Sequence, residues 1–422
     1  MQEKIINHFI SLTKVPHCSQ NTEALFEYLT TFAKSRGYEV QSDEVKNILI
    51  KKGTPKLALQ AHYDMVCMGK APNIETYVTD GWMYAKDSSL GADNGMAIAM
   101  MMQLMEQGAE LEFLLTADEE IGLIGAGAID LELSSSYMLN IDFEDEGIVC
   151  IGCAGGADLL ATQSFSELEA YEYRYEVSVL GLDGGHSGVD IDKNIPSAIK
   201  VLVNYLADKE VLIASCQGGE RRNSIPANVR MKLTSKEPLV GDEFVVVKSL
   251  EEDLIVYESH NFLNLLVEFK HGIHDFNDEF NLPDTSVNLA IINFEEGEAK
   301  IECSSRGMNA LGLDKINKTT TTLFSKYGFT HSMEYKYPAW KPEVNEFTST
   351  VNSAMVNVFG ESKYEAIHAG LECGVLLERY PHIKFASIGP TIVYPHSTRE
   401  GVKLNSIGKI FEVVEGVIQA LS

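Results

Sequence analysis

Positive charge is scarce in this 422-residue chain: 34 lysines and arginines stand against 61 aspartates and glutamates, a formal charge of -27. Nucleic acid and anionic membranes are held by clustered Lys and Arg, so this balance argues against both as partners. Long apolar runs are missing too. No segment approaches 18 uninterrupted apolar residues, which removes a membrane span. The opening MQEKIINHFISLTKV is amphipathic, without a basic segment ahead of an apolar one or a cleavage site, so no secretory leader is expected. The cysteines at 18, 67, 150, 153, 216, 303 and 373 are odd in number and scattered. No disulfide framework is expected, and the expected location is a reducing cytoplasm. Cys150 and Cys153 form a C-x-x-C in the apolar IVCIGCAGG, with no second pair and no thioredoxin-type helix behind it, and are read as core. Internal repeats and low-complexity segments are absent.

What is present is an ordinary globular composition, 45% hydrophobic and 23% charged, in a chain longer than one core usually serves. Helix signals at 2–13 and 21–36 precede strands at 46–52 and 56–63, and an irregular stretch runs to about 87. GMAIAMMMQLMEQG has no polar break for eight residues and predicts a nearly fully buried helix. Strands follow at 111–116 and 137–142, with a helix at 123–131 between them. This alternation predicts an α/β layer on a largely parallel sheet. Beyond residue 165 the segments alternate polar and apolar (YEYRYEVSVLGL, TSVNLAIINFEEGEAKIECSSR), which predicts antiparallel sheet with covering helices such as 194–208. After YPAWKP the pattern returns to a helix at 345–359, a strand at 383–388 and a helix at 406–420. The predicted architecture is a mixed α/β/α domain from 1–166 and 342–422 carrying an inserted α+β domain, 167–341.

Chemistry is concentrated where apolar runs stop. LALQAHYD ends on His62 and Asp64, LEFLLTADEE on Glu119 and Glu120, and MLNID on Asp142, while GADNG holds Asp93 at the mouth of a helix and VYPHS offers His396. Acids and imidazoles delivered to the carboxyl ends of buried strands are costly unless something cationic collects them. Each alone has a plainer reading: H-x-D as a structural pair, Asp93 as a helix N-cap, and Asp118-Glu119-Glu120 as a solvated acidic loop. Taken together they predict a two-metal site. The glycines around Asp93 would allow the fixed, close-approach position a bridging carboxylate needs, as they would a helix cap, and Asp64 could accept the second N–H of His62. Neighbouring residues on an extended chain point apart, so one of Glu119 and Glu120 could ligate while the other serves as general base. A His/Asp/Glu set without thiolate suits zinc, with manganese or cobalt as alternatives.

With LGADNG, IGCAGG, GLDGGHSG, RRNSIP, HAGLECG and IGPT-x-x-x-PHS, these residues resemble the aminoacylase and carboxypeptidase group of di-zinc metallopeptidases, and within it the bacterial aminoacyl-histidine dipeptidases. The resemblance spans nearly the whole chain. It implies one ion held by His62, Asp93 and Asp142 and a second by Asp93, Glu120 and His396, with Asp93 bridging. It implies Glu119 as the general base and Asp64 as the residue orienting His62. The inserted domain becomes a lid that also carries a homodimer contact, with His186, Asn223, Arg306 and Gly370 as substrate-binding groups; for His186 by itself a surface-turn histidine is the plainer reading. The implied activity is hydrolysis of unblocked dipeptides, Xaa-His and others. A tripeptidase or an N-acyl amino acid amidohydrolase on the same metal machinery is the alternative.

Overall fold

The apolar runs that stop on acids form the centre of an eight-stranded sheet in the computed structural model, which describes residues 1–422. Four neighbouring strands, Glu112–Thr116, Leu57–His62, Tyr137–Asn140 and Lys384–Ser387, run parallel. Strands of this kind are covered on both faces, which explains their unbroken hydrophobicity: all six residues of Leu57–His62 and all five of Glu112–Thr116 are buried. The pairs flanking this core are antiparallel: Glu39–Ser42 with Ile48–Lys51, Ile48–Lys51 with Glu112–Thr116, and Lys384–Ser387 with Ile148–Cys153. Helix Ala92–Gln107 packs on Leu57–His62 and on helix Gln2–Leu12, and is buried along nearly its whole length, as its composition predicts.

Contacts divide the chain into two units. One comprises Met1–Gly152, Pro342–Ala366 and Leu371–Ser422, the other Cys153–Lys341 and Ile367–Gly370. The second unit therefore begins earlier than the expected residue 167. Strand Gly155–Ser164 pairs with Glu298–Gly307 and with Thr330–Tyr337, so its hydrogen bonds commit it to that unit's eleven-stranded sheet. The registered pairs of that sheet are antiparallel, and helices Ala198–Leu206, His260–Glu268 and Ala310–Lys326 pack on it or on one another. Its core includes Phe262, Phe294 and Phe324.

Several expectations fail for local reasons. The helix predicted over 123–131 is a single turn, Ile124–Gly127, because the chain there is pressed against its neighbours: a Cβ on Gly125 would lie 2.2 Å from the Ala117 carbonyl oxygen. The stretch read as irregular holds a hairpin, Thr76–Thr79 with Trp82–Ala85, turned by Asp80 and Gly81, both at positive φ. Helices His260–Glu268, Ala310–Lys326 and Glu372–Arg379 were not predicted. Cys18 and Cys67 form a disulfide across 49 residues, against the expectation of none. The chain brings them together through a parallel bridge between Cys18 and Met65, which no spacing announces. The other five cysteines are buried, Cys150 and Cys153 among them, as expected of core residues. No helix is long and apolar enough to cross a membrane.

Close packing beside the strand ends gives a first test. A Cβ at Gly389 would fall 1.6 Å from the Phe143 carbonyl oxygen, backbone that cannot swing away. Gly389→Ala is expected to destabilise the protein by roughly 3 kcal/mol, read from the shift in its urea-unfolding midpoint.

Candidate metal centre

The registers of the parallel strands set the site. His62 is opposite Thr116, Gln60 opposite Asn140, and Asn140 opposite Ser387, so the carboxyl ends of four strands finish at one level. Ligands collect at this edge of α/β sheets. His62 ends its strand, Asp142 lies two residues past another, and Glu119 and Glu120 follow a third.

Asp93 is the junction. Its Oδ1 lies 3.1 Å from His62 Nε2 and its Oδ2 3.0 Å from His396 Nε2, so each carboxylate oxygen faces a different imidazole. Asp142 Oδ1 is 3.4 Å from His62 Nε2, and Glu120 Oε2 is 2.9 Å from His396 Nε2. Donor atoms of His62, Asp93 and Asp142 fall within 4.8 Å of one another, as do those of Asp93, Glu120 and His396, and those of His62, Glu119 and Glu120. The first two triads are the two expected ligand sets. Exposure rises from the His62 side chain at 1% to that of His396 at 45%, so the site opens on the His396 side. His396 has φ of 57°, a left-handed backbone that His tolerates better than most residues and that is typical of strained functional loops.

The helix-cap reading of Asp93 fails. Gly91 occupies the cap position of Ala92–Gln107 with no side-chain cap, and Asp93 itself is not helical. Glu119 and Glu120 also point differently from the extended-chain expectation. They leave the strand through Asp118, whose φ is 51°, into a turn, so both carboxylates reach toward His62 instead of pointing apart. Asp64 is placed differently as well. The His62 Nδ1 is 3.1 Å from the Asp64 carbonyl oxygen and 3.5 Å from its carboxylate. That carboxylate mainly accepts the N–H groups of Glu119 and Glu120, at 2.9 and 3.3 Å, and the Ser19 hydroxyl at 2.8 Å. Asp64 thus orients His62 largely through its backbone and the acidic turn through its side chain.

The electrostatics describe a cluster short of cations. Burial and the charges of Glu120 and Asp142 push Glu119 well above the usual carboxylate range; burial and Asp93 raise Glu120 to about 7. Burial also raises Asp142. Burial opposes charge on His396, yet Asp93 and Glu120 lift it to about 12, while Asp142, Asp64 and Asp93 do the same in direction for His62. The imidazoles are the positive charges closest to these acids. The Glu120 Oε1 atom is buried with no hydrogen-bond partner. Hard oxygen and imidazole donors, one of them orphaned, fit divalent ions, which would displace the imidazole protons.

Beneath this layer lies a polar ladder that the motifs did not reveal. The Gln60 amide donates to Glu372 Oε2 at 2.5 Å and to Thr116 at 3.1 Å, Thr116 donates to Glu372 Oε2 at 2.7 Å, Asn140 donates to Gln60 at 2.5 Å, and Ser387 bonds Asn140. All five side chains are buried. Glu372 lies in HAGLECG, at a helix start with no apolar strand ending on it, so no local signal marks it.

The remaining expected residues belong to the second unit, where they are neighbours of one another. His186 pairs with Ser224 on a short ribbon, and the Ser187 N–H donates to the Asn223 carbonyl at 2.8 Å. His186 Nδ1 accepts the N–H groups of Gly188 and Val189, both at 3.2 Å, which leaves the ring proton of the neutral imidazole on Nε2. The Arg306 guanidinium, 6% exposed, bonds the Tyr337 hydroxyl at 3.0 Å and approaches Ser187, with its Nε buried and unpartnered. A Cβ on Gly370 would lie 2.9 Å from the Tyr337 ring, so glycine is what fits there.

Known proteins resemble the chain over nearly its whole length. The model of peptidase family M20/M25/M40 matches residues 58–420. The sequence is 28% identical over 468 aligned residues to the cytosol non-specific dipeptidase of Escherichia coli, covering 98% of this chain and 96% of that one. Among solved structures, aminoacylhistidine dipeptidase from Vibrio alginolyticus matches with a TM-score of 0.82 at 28% identity, over 99% of this chain and 96% of that one. A tripeptidase from Staphylococcus aureus matches in fold, with a TM-score of 0.62 at 17% identity over 100% and 98% of the two chains.

Glu372 makes the charge crowding measurable. Burial raises its carboxyl to about 7 from an ordinary 4.5, while His62 and Thr116 pull the other way. Between those values the folded state holds a proton that the unfolded state has released, so this group's contribution to stability is complete below about pH 4.5 and is lost as the pH rises toward 7. In metal-free protein, the stability difference between wild type and Glu372→Gln should therefore move against wild type by on the order of 3 kcal/mol across that window. Denaturant unfolding at stepped pH measures it, and parallel curves would contradict the assignment.

Proposed function

We propose, from the premise that this chain belongs to peptidase family M20/M25/M40 and is a metal-dependent peptide-bond hydrolase, that its substrates are unblocked dipeptides, Xaa-His among them. The observation that carries the mechanism is the Asp93 carboxylate, with one oxygen turned to each imidazole and a place in two donor triads. The full-length likeness to two dipeptidases supports the substrate class.

In this reading His62, Asp93 and Asp142 hold one divalent ion, and Asp93, Glu120 and His396 a second, with zinc the best match to the donors and manganese or cobalt the alternatives. Such ions, when bound, supply Lewis-acid polarisation of the scissile carbonyl and acidify water. The protein's own residues handle orientation and protons. Glu119 takes a proton from the attacking water and returns it to the departing amine, so its carboxyl must be ionised at the start and protonated midway. Burial and neighbouring acids raise its affinity for that proton, and bound cations would favour the ionised form from which it starts. Asp64 fixes the base by gripping its backbone N–H and that of Glu120. In the second unit, Arg306 offers the planar fork that suits a terminal carboxylate, and His186 an Nε2–H suited to a developing oxyanion.

Glu119→Gln preserves size and removes the base. It should keep metal binding and lose about 10³-fold or more in kcat on Ala-His. Full activity in that variant, or hydrolysis indifferent to chelation, would sink the mechanism. A panel of Ala-His, Ala-Ala-Ala and N-acetyl amino acids on the zinc-reconstituted protein tests the substrate class. Higher kcat/KM on the tripeptide or on the acetylated compounds would favour the tripeptidase or amidohydrolase reading instead.

A further inference from the structure

Glu400, four residues beyond His396, is 2% exposed and makes an unusual set of bonds. Its Oε2 accepts the N–H groups of Leu90 and Gly91 at 2.7 and 2.9 Å, and its Oε1 those of Ala92 and Asp93 at 2.7 and 3.2 Å. Four consecutive N–H groups at the start of a buried helix converge on one carboxylate. They belong to the turn that enters the helix, where no intrahelical bond satisfies them and where a residue of the same turn ordinarily serves as cap. Here the cap comes from a segment more than 300 residues away in sequence.

We propose that Glu400 is a positioning residue: it locks the backbone that presents Asp93, and so fixes the bridging carboxylate before any ion arrives. His396 and Glu400 reach Asp93 from one loop, the imidazole on the side-chain oxygen and the carboxylate on the main-chain nitrogen. That loop is itself braced, with the Ser397 hydroxyl donating to the Tyr394 carbonyl, the Arg399 N–H donating to the Ser397 hydroxyl, and the Glu400 N–H donating to the Ser397 carbonyl. One turn therefore supplies a ligand to the outer donor triad and the anchor for the residue shared by both. Preorganisation of this kind matters because a carboxylate that must be ordered at the moment of binding lowers affinity for both ions at once, since Asp93 belongs to both sets.

The inference rests on the two-metal reading, and titration of chelated protein with Zn²⁺ by calorimetry separates the two. Glu400→Gln turns an N–H against the backbone donors, and Glu400→Asp keeps the charge but withdraws it by one methylene. Folded variants should bind both ions about tenfold or more weakly, Gln worse than Asp, with kcat reduced and KM nearly unchanged. Wild-type affinity for both ions in either folded variant, with only the melting temperature lowered, would make Glu400 a structural cap and overturn the proposal. Should wild-type protein itself fail to take up two ions, the two-metal reading falls and this one with it. Amide hydrogen exchange on chelated wild-type protein gives a result independent of variant folding. The N–H groups of residues 90–93 should be protected without metal; fast exchange that slows only on adding Zn²⁺ would mean that the ions order the loop, and would overturn the proposal.

Discussion

Everything in the first unit answers to the crowding of negative charge at the ends of its parallel strands. Asp64, Asp93, Glu119, Glu120 and Asp142 converge with two imidazoles to balance them. In a buried setting that charge is tolerable only by protonation or by cations. Glu119, Glu120 and Asp142 are pushed up by burial, while against the same burial the two imidazoles hold Asp93 down and His62, Ser19 and the Glu119 N–H hold Asp64 down. Divalent ions bound there would favour the ionised form of these acids. The crowding is thus a cost to the metal-free fold and a source of affinity for ions.

The scaffold meets that cost with bonds to backbone rather than to other charges. Asp64 grips the turn carrying Glu119 and Glu120, and Glu400 grips the turn carrying Asp93. Each is a buried carboxylate whose oxygens are satisfied by N–H donors, the condition under which an acid can be buried at all. Below them, the ladder from Ser387 through Asn140 and Gln60 to Glu372 and Thr116 ties the strands laterally, so the level at which they finish is held by side chains as well as by register.

The second unit shows the same economy around Arg306. Its guanidinium is held by Tyr337, Gly370 admits the Tyr337 ring, and His186 has its tautomer set by two backbone N–H groups. Each of these side chains is held in orientation by a named neighbour.

The sequence by itself determined which residues would meet in the first unit. Abrupt ends of apolar strands on His62, Glu119, Glu120 and Asp142 are legible because burial and charge conflict locally, and the α/β alternation is legible because period and hydrophobicity are local too. The Asp80-Gly81 hairpin is equally local, its turn residues standing between two short strands. What only the tertiary structure decided are relations between distant segments: Glu400 capping residues 90–93, Cys18 joined to Cys67, Glu372 under the strand ends, and Gly155–Ser164 committed to the second sheet. The turn that sends Glu119 and Glu120 the same way belongs with them, since Asp118 takes its left-handed backbone where its carboxylate accepts the Gln20 N–H. Sequence patterns record what a segment needs, an acceptor or a cation or a partner strand; which distant residue meets that need is settled only when the chain closes on itself.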